Sequence, residues 1–380
     1  MLGPANAFDP RMVKLMIRSI ARRWGLSGLF VAALVACSWG LPGLSRPEGA
    51  QAGAGGLRLL GRLPTAAPAL SIAIGGTVAA LPAHARGIHL VDIRDPERPR
   101  LLATAPTRGQ AYDAVFLGSR LAVASWKGGL ELFDLTDPAA PRPLGRAATH
   151  SNARSVAALP GGVVVTGSWS ATDFEGGDPA YGLEFWDIQT EPPTRLAELK
   201  TPGWAGDLAT QGTMVFVADG PGGVRVVDAA DPRAPRELGS LATEVRAYGI
   251  DVAAGGRLYV ADNAGGLFVL DAADPAAPRV LGHLAPGGAA YGVAAAGDRV
   301  WLAEALGGDP SAAGRVTLID ASDPTDLQVL AGLDTERRAW GVALDASGRA
   351  FVAATDAGLL ALAEEVAEAG WRVVLPWLDR

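Results

Sequence analysis

Seven alanines divide this chain into near-equal parts: Ala69, Ala111, Ala153, Ala205, Ala247, Ala290 and Ala339, at intervals of 42, 42, 52, 42, 43 and 49 residues. A second series keeps the same step, an apolar run ending in aspartate at Asp92, Asp134, Asp187, Asp228, Asp271 and Asp320. Two series in register identify a repeat. A repeat is a strong constraint, because each unit must be one small module that buries its faces against its neighbours. In the unit beginning at Ala247, four short runs read as strands: Tyr248 to Ala253, Leu258 to Ala261, Leu267 to Asp271 and Arg279 to Leu284. Gly-Gly, Asp-Asn-Ala-Gly-Gly and Asp-Pro turns separate them. Four strands in roughly 40–45 residues is the period of a β-propeller blade. An α-solenoid of similar period needs helices of about ten residues or more. With 49 Gly and 27 Pro in 380 residues, the intervals between turn signals within the units are too short for a pair of helices in each.

The ends of the repeat predict how the ring closes. First, second and third strands number seven, the last set being Trp340 to Leu344, Ala350 to Ala353 and Leu359 to Ala363, but only six units carry their own fourth strand. The run Leu57 to Leu63 resembles a fourth strand and precedes the first unit, so it can complete the last blade and remove the open edges of the ring. The run Trp371 to Leu375 competes for that slot. The expected fold class is therefore all-β: a seven-bladed propeller of four-stranded blades over residues 53–365, closed by the N-terminal strand. Residues 1–52 form a signal or anchor segment, and residues 366–380 a tail or extra outer strand.

The N-terminal segment reads as an export address. Arg18, Arg22 and Arg23 precede an apolar run from Leu26 to Leu44. Ala50-Gln51-Ala52 offers a small-residue cleavage site, and Leu34-Val35-Ala36-Cys37 resembles a lipobox that would place a lipid on Cys37. Ala21 to Leu26 also resembles a twin-arginine signal, and an uncleaved anchor is a further reading. The expected location is outside the cytoplasm: at the outer face of a membrane, in a periplasm or extracellular, with membrane contact through this segment alone. The rest of the chain is acidic. The net charge is −7, and setting aside the six basic and two acidic residues of 1–52 leaves −11. Such a body lacks the electrostatic footprint of a nucleic-acid binder. One cysteine excludes an intramolecular disulfide and a cysteine-rich metal site.

Leu267-Phe268-Val269-Leu270-Asp271 followed by Asp274-Pro275 resembles the LVIVD repeat of bacterial and archaeal surface proteins, and related runs recur in six of the seven units. The third unit departs from it with Thr190-Glu191-Pro192, and the seventh with Ala363 where the aspartate belongs. The resemblance implies a propeller-like surface module with few assigned activities. WD-type propellers are the nearest alternative, without their Gly-His and Trp-Asp pairs here.

Catalytic signatures are missing: there is no His-Glu-x-x-His, Walker loop or Gly-x-Ser-x-Gly elbow. The Asp-x-x-Asp-Pro elements are turn formers, since Asp before Pro can accept a backbone N–H while Pro presets φ. His84 and His89 are read as a loop and a strand-face histidine, so no metal or cofactor is expected. Irregularity is concentrated on the ring face formed by the loops after strands two and four. There lie the insertions Ser170 to Pro179 and Leu306 to Ser311, together with Pro202-Gly203-Trp204. Varied loops on a rigid scaffold are where binding usually resides. Candidate ligand-binding residues on this face are Tyr112, Arg154, Tyr248, Tyr291 and Trp340, just after the repeated alanines. Trp126, Trp169, Asp262 and Glu304 at the ends of second strands, and Trp204, complete the set. Aromatics among carboxylates and Arg154 suit a sugar, a peptide or a cationic group. The expected function is a non-catalytic binding or scaffold module for a protein, peptide or glycan of the cell envelope. The alternative is a propeller enzyme, a lactonase-like hydrolase or a dehydrogenase-associated subunit.

Overall fold

The computed structural model describes residues 56–65, 67–169, 182–243, 245–285, 287–308 and 312–365. The N-terminal residues expected to form a signal or anchor, with Cys37, the tail 366–380, the whole of the Ser170–Pro179 insertion and residues 309–311 of the second lie outside the described residues. Seven four-stranded antiparallel sheets follow one another along the chain. In blades one to six the strands pair in simple sequence order. Blade seven takes Gly341–Leu344, Ala350–Ala353 and Leu359–Glu365 from the C-terminal side and Gly56–Leu63 from the N-terminal side. Leu57 stands opposite Glu364 and Leu63 opposite Leu359, so the N-terminal strand closes the ring.

The inner strand of each blade lines the axis, and core side chains lie between blades. Seven apolar clusters fill the seven interfaces. Leu267, Val269 and Tyr259 of blade five, for example, pack on Val293, Leu302 and Ile319 of blade six. Across the closure, Phe351 and Leu359 of blade seven meet Leu81 and Val91 of blade one. The repeated alanines explain themselves at these interfaces. All seven are fully buried. Five of them bridge to the turn after the second strand of the preceding blade: Ala69 with Thr355, Ala111 with His84, Ala153 with Trp126, Ala247 with Gly220 and Ala290 with Asn263. In four of these bridges the alanine exchanges two backbone hydrogen bonds with its partner, and Ala69 donates one to Thr355 O; a side chain larger than methyl would separate the blades.

The opposite face carries the repeated turns. Asp92, Asp134, Asp187, Asp228, Asp271 and Asp320 each accept the backbone N–H two residues on, at 2.8–3.1 Å. Asp95, Asp137, Asp231, Asp274 and Asp323 of the Asp-Pro pairs do the same at 2.9–3.1 Å. These are Asx turns, and they occupy the carboxylates that the motif displays.

Candidate functional site

The bridged turn residues shape the opposite mouth of the ring. His84, Trp126, Asn263 and Thr355 have φ of 50°, 42°, 53° and 37°, the left-handed region that large side chains rarely enter. The bridge to the next blade holds them there, and this conformation presents Trp126 and His84 to the mouth. Blade four has Gly220 at the equivalent place, and Trp204 from the incoming loop fills it. A Cβ at Gly220 would fall inside the Trp204 indole.

The result is a continuous arc of rings. His84 meets Tyr112 at 5.5 Å between centroids, Tyr112 meets Trp126 at 4.9 Å, Trp126 meets Trp169 at 5.7 Å, and Trp169 meets Trp204 at 5.6 Å. The series continues through Tyr248 at 6.3 Å and Tyr291 at 5.2 Å to Trp340 at 4.3 Å. All seven aromatic candidates from the sequence thus stand in one arc. Most are half-buried, with tilted or edge-to-face pairs as ring quadrupoles favour. Three guanidinium groups lie on ring faces. Arg154 is 4.8 Å from Tyr112 and 6.0 Å from Trp169, Arg246 is 5.5 Å from Trp204, and Arg338 is 5.2 Å from Trp340.

Asp262 and Glu304 are placed otherwise. Their exposures are 0% and 1%, and they turn inward beneath the loops. Asp262 accepts the N–H of Val245 at 2.8 Å, while Glu304 accepts those of Gly287 and Gly288 at 3.0 Å. Glu131, Glu184 and Asp219 do the same for Arg108, His150 and Gly203. Blades two to six each therefore bury one carboxylate that fastens the loop entering the blade. In the fold Trp126 corresponds to Gly220 and Asn263, so Asp219 and Asp262 correspond to Ser125. That one-residue offset separates mouth from interior. The carboxylates that would have favoured a cationic ligand do not ring the mouth.

Below the arc lies an axial cavity of about 310 Å³, lined by inner-strand residues including Ser71, Asp113, Arg154, Asp207, Tyr248, Tyr291 and Trp340. Its carboxylates join neighbouring blades. Asp113 accepts from Ser71 Oγ at 2.8 Å and from Val156 N at 2.9 Å, and Asp207 from Ile250 N at 3.0 Å; outside the cavity, Asp251 accepts from Ala295 N at 2.8 Å in the same way. Asp113 and Asp207 touch the solvent of the cavity but sit deep inside the ring. Desolvation raises both, and the charge of Asp113 adds to the effect on Asp207, pushing it to about 7. Two such groups titrate as a pair. Sequence reading missed them, together with His84, Arg246 and Arg338. The signal was present: Asp113 and Asp207 stand two places after a repeated alanine, Arg246 and Arg338 one place before.

One group among the described residues brings metal-ligating atoms together: His150, Glu184 and Glu198, within 4.8 Å. Arg195 Nη1 already occupies it, 2.6 Å from His150 Nε2 and 3.0 Å from Glu184 Oε1. The arrangement is an ion-pair network. No helix of the described residues is long and apolar enough to cross a membrane.

Fold and mouth together define a seven-bladed β-propeller. The WD40 β-propeller domain of Doa1 superposes with a TM-score of 0.61, at 14% identity over 81% of this chain and 97% of that one. The computationally designed Ika8 protein gives 0.55, at 14% identity over 80% and 99%. At this identity the likeness is one of fold. Within the propeller, residues 202–243 and 249–284 match the model of the LVIVD repeat, in two successive blades. No curated protein matches the chain in sequence.

Proposed function

We propose that this protein is an exported, envelope-associated binding module whose partner, a protein, peptide or glycan, seats on the aromatic mouth of the ring. The arc from His84 to Trp340 carries this reading. Aromatic side chains with polar tips, half-buried at the open end of a cavity, combine large contact area with few rotatable bonds, which is the composition of binding hot spots. Two LVIVD repeats in a propeller are consistent with a module of this kind. The hydrolase alternative draws on Asp113 and Asp207, whose raised pKa values lie in one cavity. Against it, both oxygens of Asp113 already accept hydrogen bonds from Ser71 and Val156, and those of Asp207 from Leu208 and Ile250. These positions serve blade joining.

Binding of the full-length chain to arrays of glycans, peptides and envelope proteins tests the reading. Trp169→Ala and Tyr291→Ala should each weaken capture several-fold, since an aromatic contact contributes about 0.5–1.5 kcal/mol beyond its buried area. A fall in melting temperature with capture per folded molecule unchanged would show that the arc is packing alone. Export is supported by the basic and apolar pattern of residues 18–44. Incorporation of a labelled fatty acid into the native chain but not into Cys37→Ala would establish the lipid anchor.

A further inference from the structure

Resting on that reading of the mouth, we infer that the axial cavity is a receptor site for a small organic carboxylate with a flat apolar body, whose anionic head pairs with Arg154. Arg154 supplies a guanidinium to the wall of the cavity, and its place is prepared rather than incidental. The guanidinium carbon lies 4.8 Å from the ring centroid of Tyr112 and 6.0 Å from that of Trp169. The planar N–H fork of an arginine matches a carboxylate in two-point geometry. No described residue accepts a hydrogen bond from Arg154 or forms an ion pair with it; its charge is felt by Asp113 and Asp207 only at a distance. Those two carboxylates are themselves hydrogen-bonded to neighbouring strands.

The remaining walls define the body of the ligand. Leu70, Tyr248, Tyr291 and Trp340 surround the opening, and the inner strands below contribute mainly Ala, Val and Leu. A volume of about 310 Å³ takes a molecule of one or two rings, at the small end of the range for ligand pockets. The sign of the head follows from the cations stacked on the arc and from the inward turn of Asp262 and Glu304.

Titration of the full-length chain with benzoate, benzamide and benzamidine, followed by tryptophan fluorescence, tests the inference. These probes share a ring and differ in the charge of the head. Benzoate should bind more tightly than benzamide by about tenfold, the value of one charge-assisted pair, and benzamidine should bind most weakly. Arg154→Gln should abolish the advantage of benzoate, read as the ratio of benzoate to benzamide affinity within the folded variant. Arg154→Lys should restore part of it. Equal binding of all three probes, or a preference for benzamidine, overturns the carboxylate site but leaves the mouth as a binding surface. Silence of all three overturns the small-molecule site. If Trp169→Ala and Tyr291→Ala also leave partner capture unchanged, the reading of the mouth falls with it.

Discussion

The two faces of this ring use aspartate in opposite ways. On the turn face, Asp92 and Asp134 lie below the usual carboxylate range, chiefly because side-chain donors, Arg94 and Thr136, bond to them. Asp271 and Asp320 are lowered first by backbone N–H groups of the turns they cap. Towards the mouth and axis, Asp113, Asp207, Asp219 and Asp251 are raised, and in each the leading cause is removal from water. A turn carboxylate gains donors that outweigh its desolvation, even at Asp92, which is 5% exposed. One inside the ring is retained because it fastens strands or loops that no apolar residue could hold. The turn face repeats because every blade needs the same reversal, whereas the side chains at the mouth differ from blade to blade.

The largest expected effect comes from cutting a fastener. Asp219 is fully buried and accepts from Thr201 Oγ1 at 2.6 Å and Gly203 N at 2.9 Å. Asp219→Ala leaves both donors without an acceptor and should cost about 2–4 kcal/mol in denaturant unfolding. Asp231→Ala on the turn face is the matched control. If both cost the same, the distinction between faces fails.

Next is Gly220→Ala. An alanine at φ 54° is strained, and its Cβ must displace Trp204 from the arc. A loss of about 1–3 kcal/mol, with a shift in tryptophan emission, is expected. An unchanged emission spectrum would show that Trp204 does not depend on the empty space at Gly220.

The pH dependence of stability separates the faces by sign. An unfolded aspartate titrates near about 4, whereas Asp207 in the ring titrates at about 7. The folded state therefore holds a proton that the unfolded chain has released. The Asp207 contribution is most favourable below the unfolded value and is lost as pH rises through about 7. Asp92 and Asp134, being lowered, contribute above the unfolded value and lose that contribution on acidification. Thermal melts should show Asp207→Asn removing a decline of about 2–4 °C between mildly acidic and neutral pH, with no change at the acid end. A parallel downward shift at every pH would show that Asp207 does not titrate in this range.

The smallest effect belongs to the turns. Asp231→Ala removes one exposed Asx bond to Arg233 N at 3.0 Å and should cost about 0.5–1 kcal/mol, with ligand capture unchanged. Weakened capture would move the binding surface to the turn face.

The period, the four-strand unit, the missing fourth strand of blade seven and its replacement by Gly56–Leu63 were all legible in the chain. Each rests on signals within a few residues, alternation and Gly or Asp-Pro turns, which seven copies reinforce. The aromatic composition of the mouth was legible for the same reason, since Tyr112, Tyr248, Tyr291 and Trp340 follow the repeated alanine. Tertiary structure alone decided which way the side chains at the second turn face. The bridge from Trp126 to Ala153 imposes a left-handed backbone on the turn residue and sends its neighbour inward. Trp126 therefore joins the arc while Asp262, one place earlier in the turn, fastens a loop. It also decided that Trp204 would occupy the space left by Gly220, and that Arg154, Asp113 and Asp207 would meet at one cavity. Trp204 reaches Gly220 from the loop that enters the blade, while Asp113, Arg154 and Asp207 come from successive blades some forty or more residues apart, and a pattern read along one strand carries no information about a side chain that arrives from elsewhere.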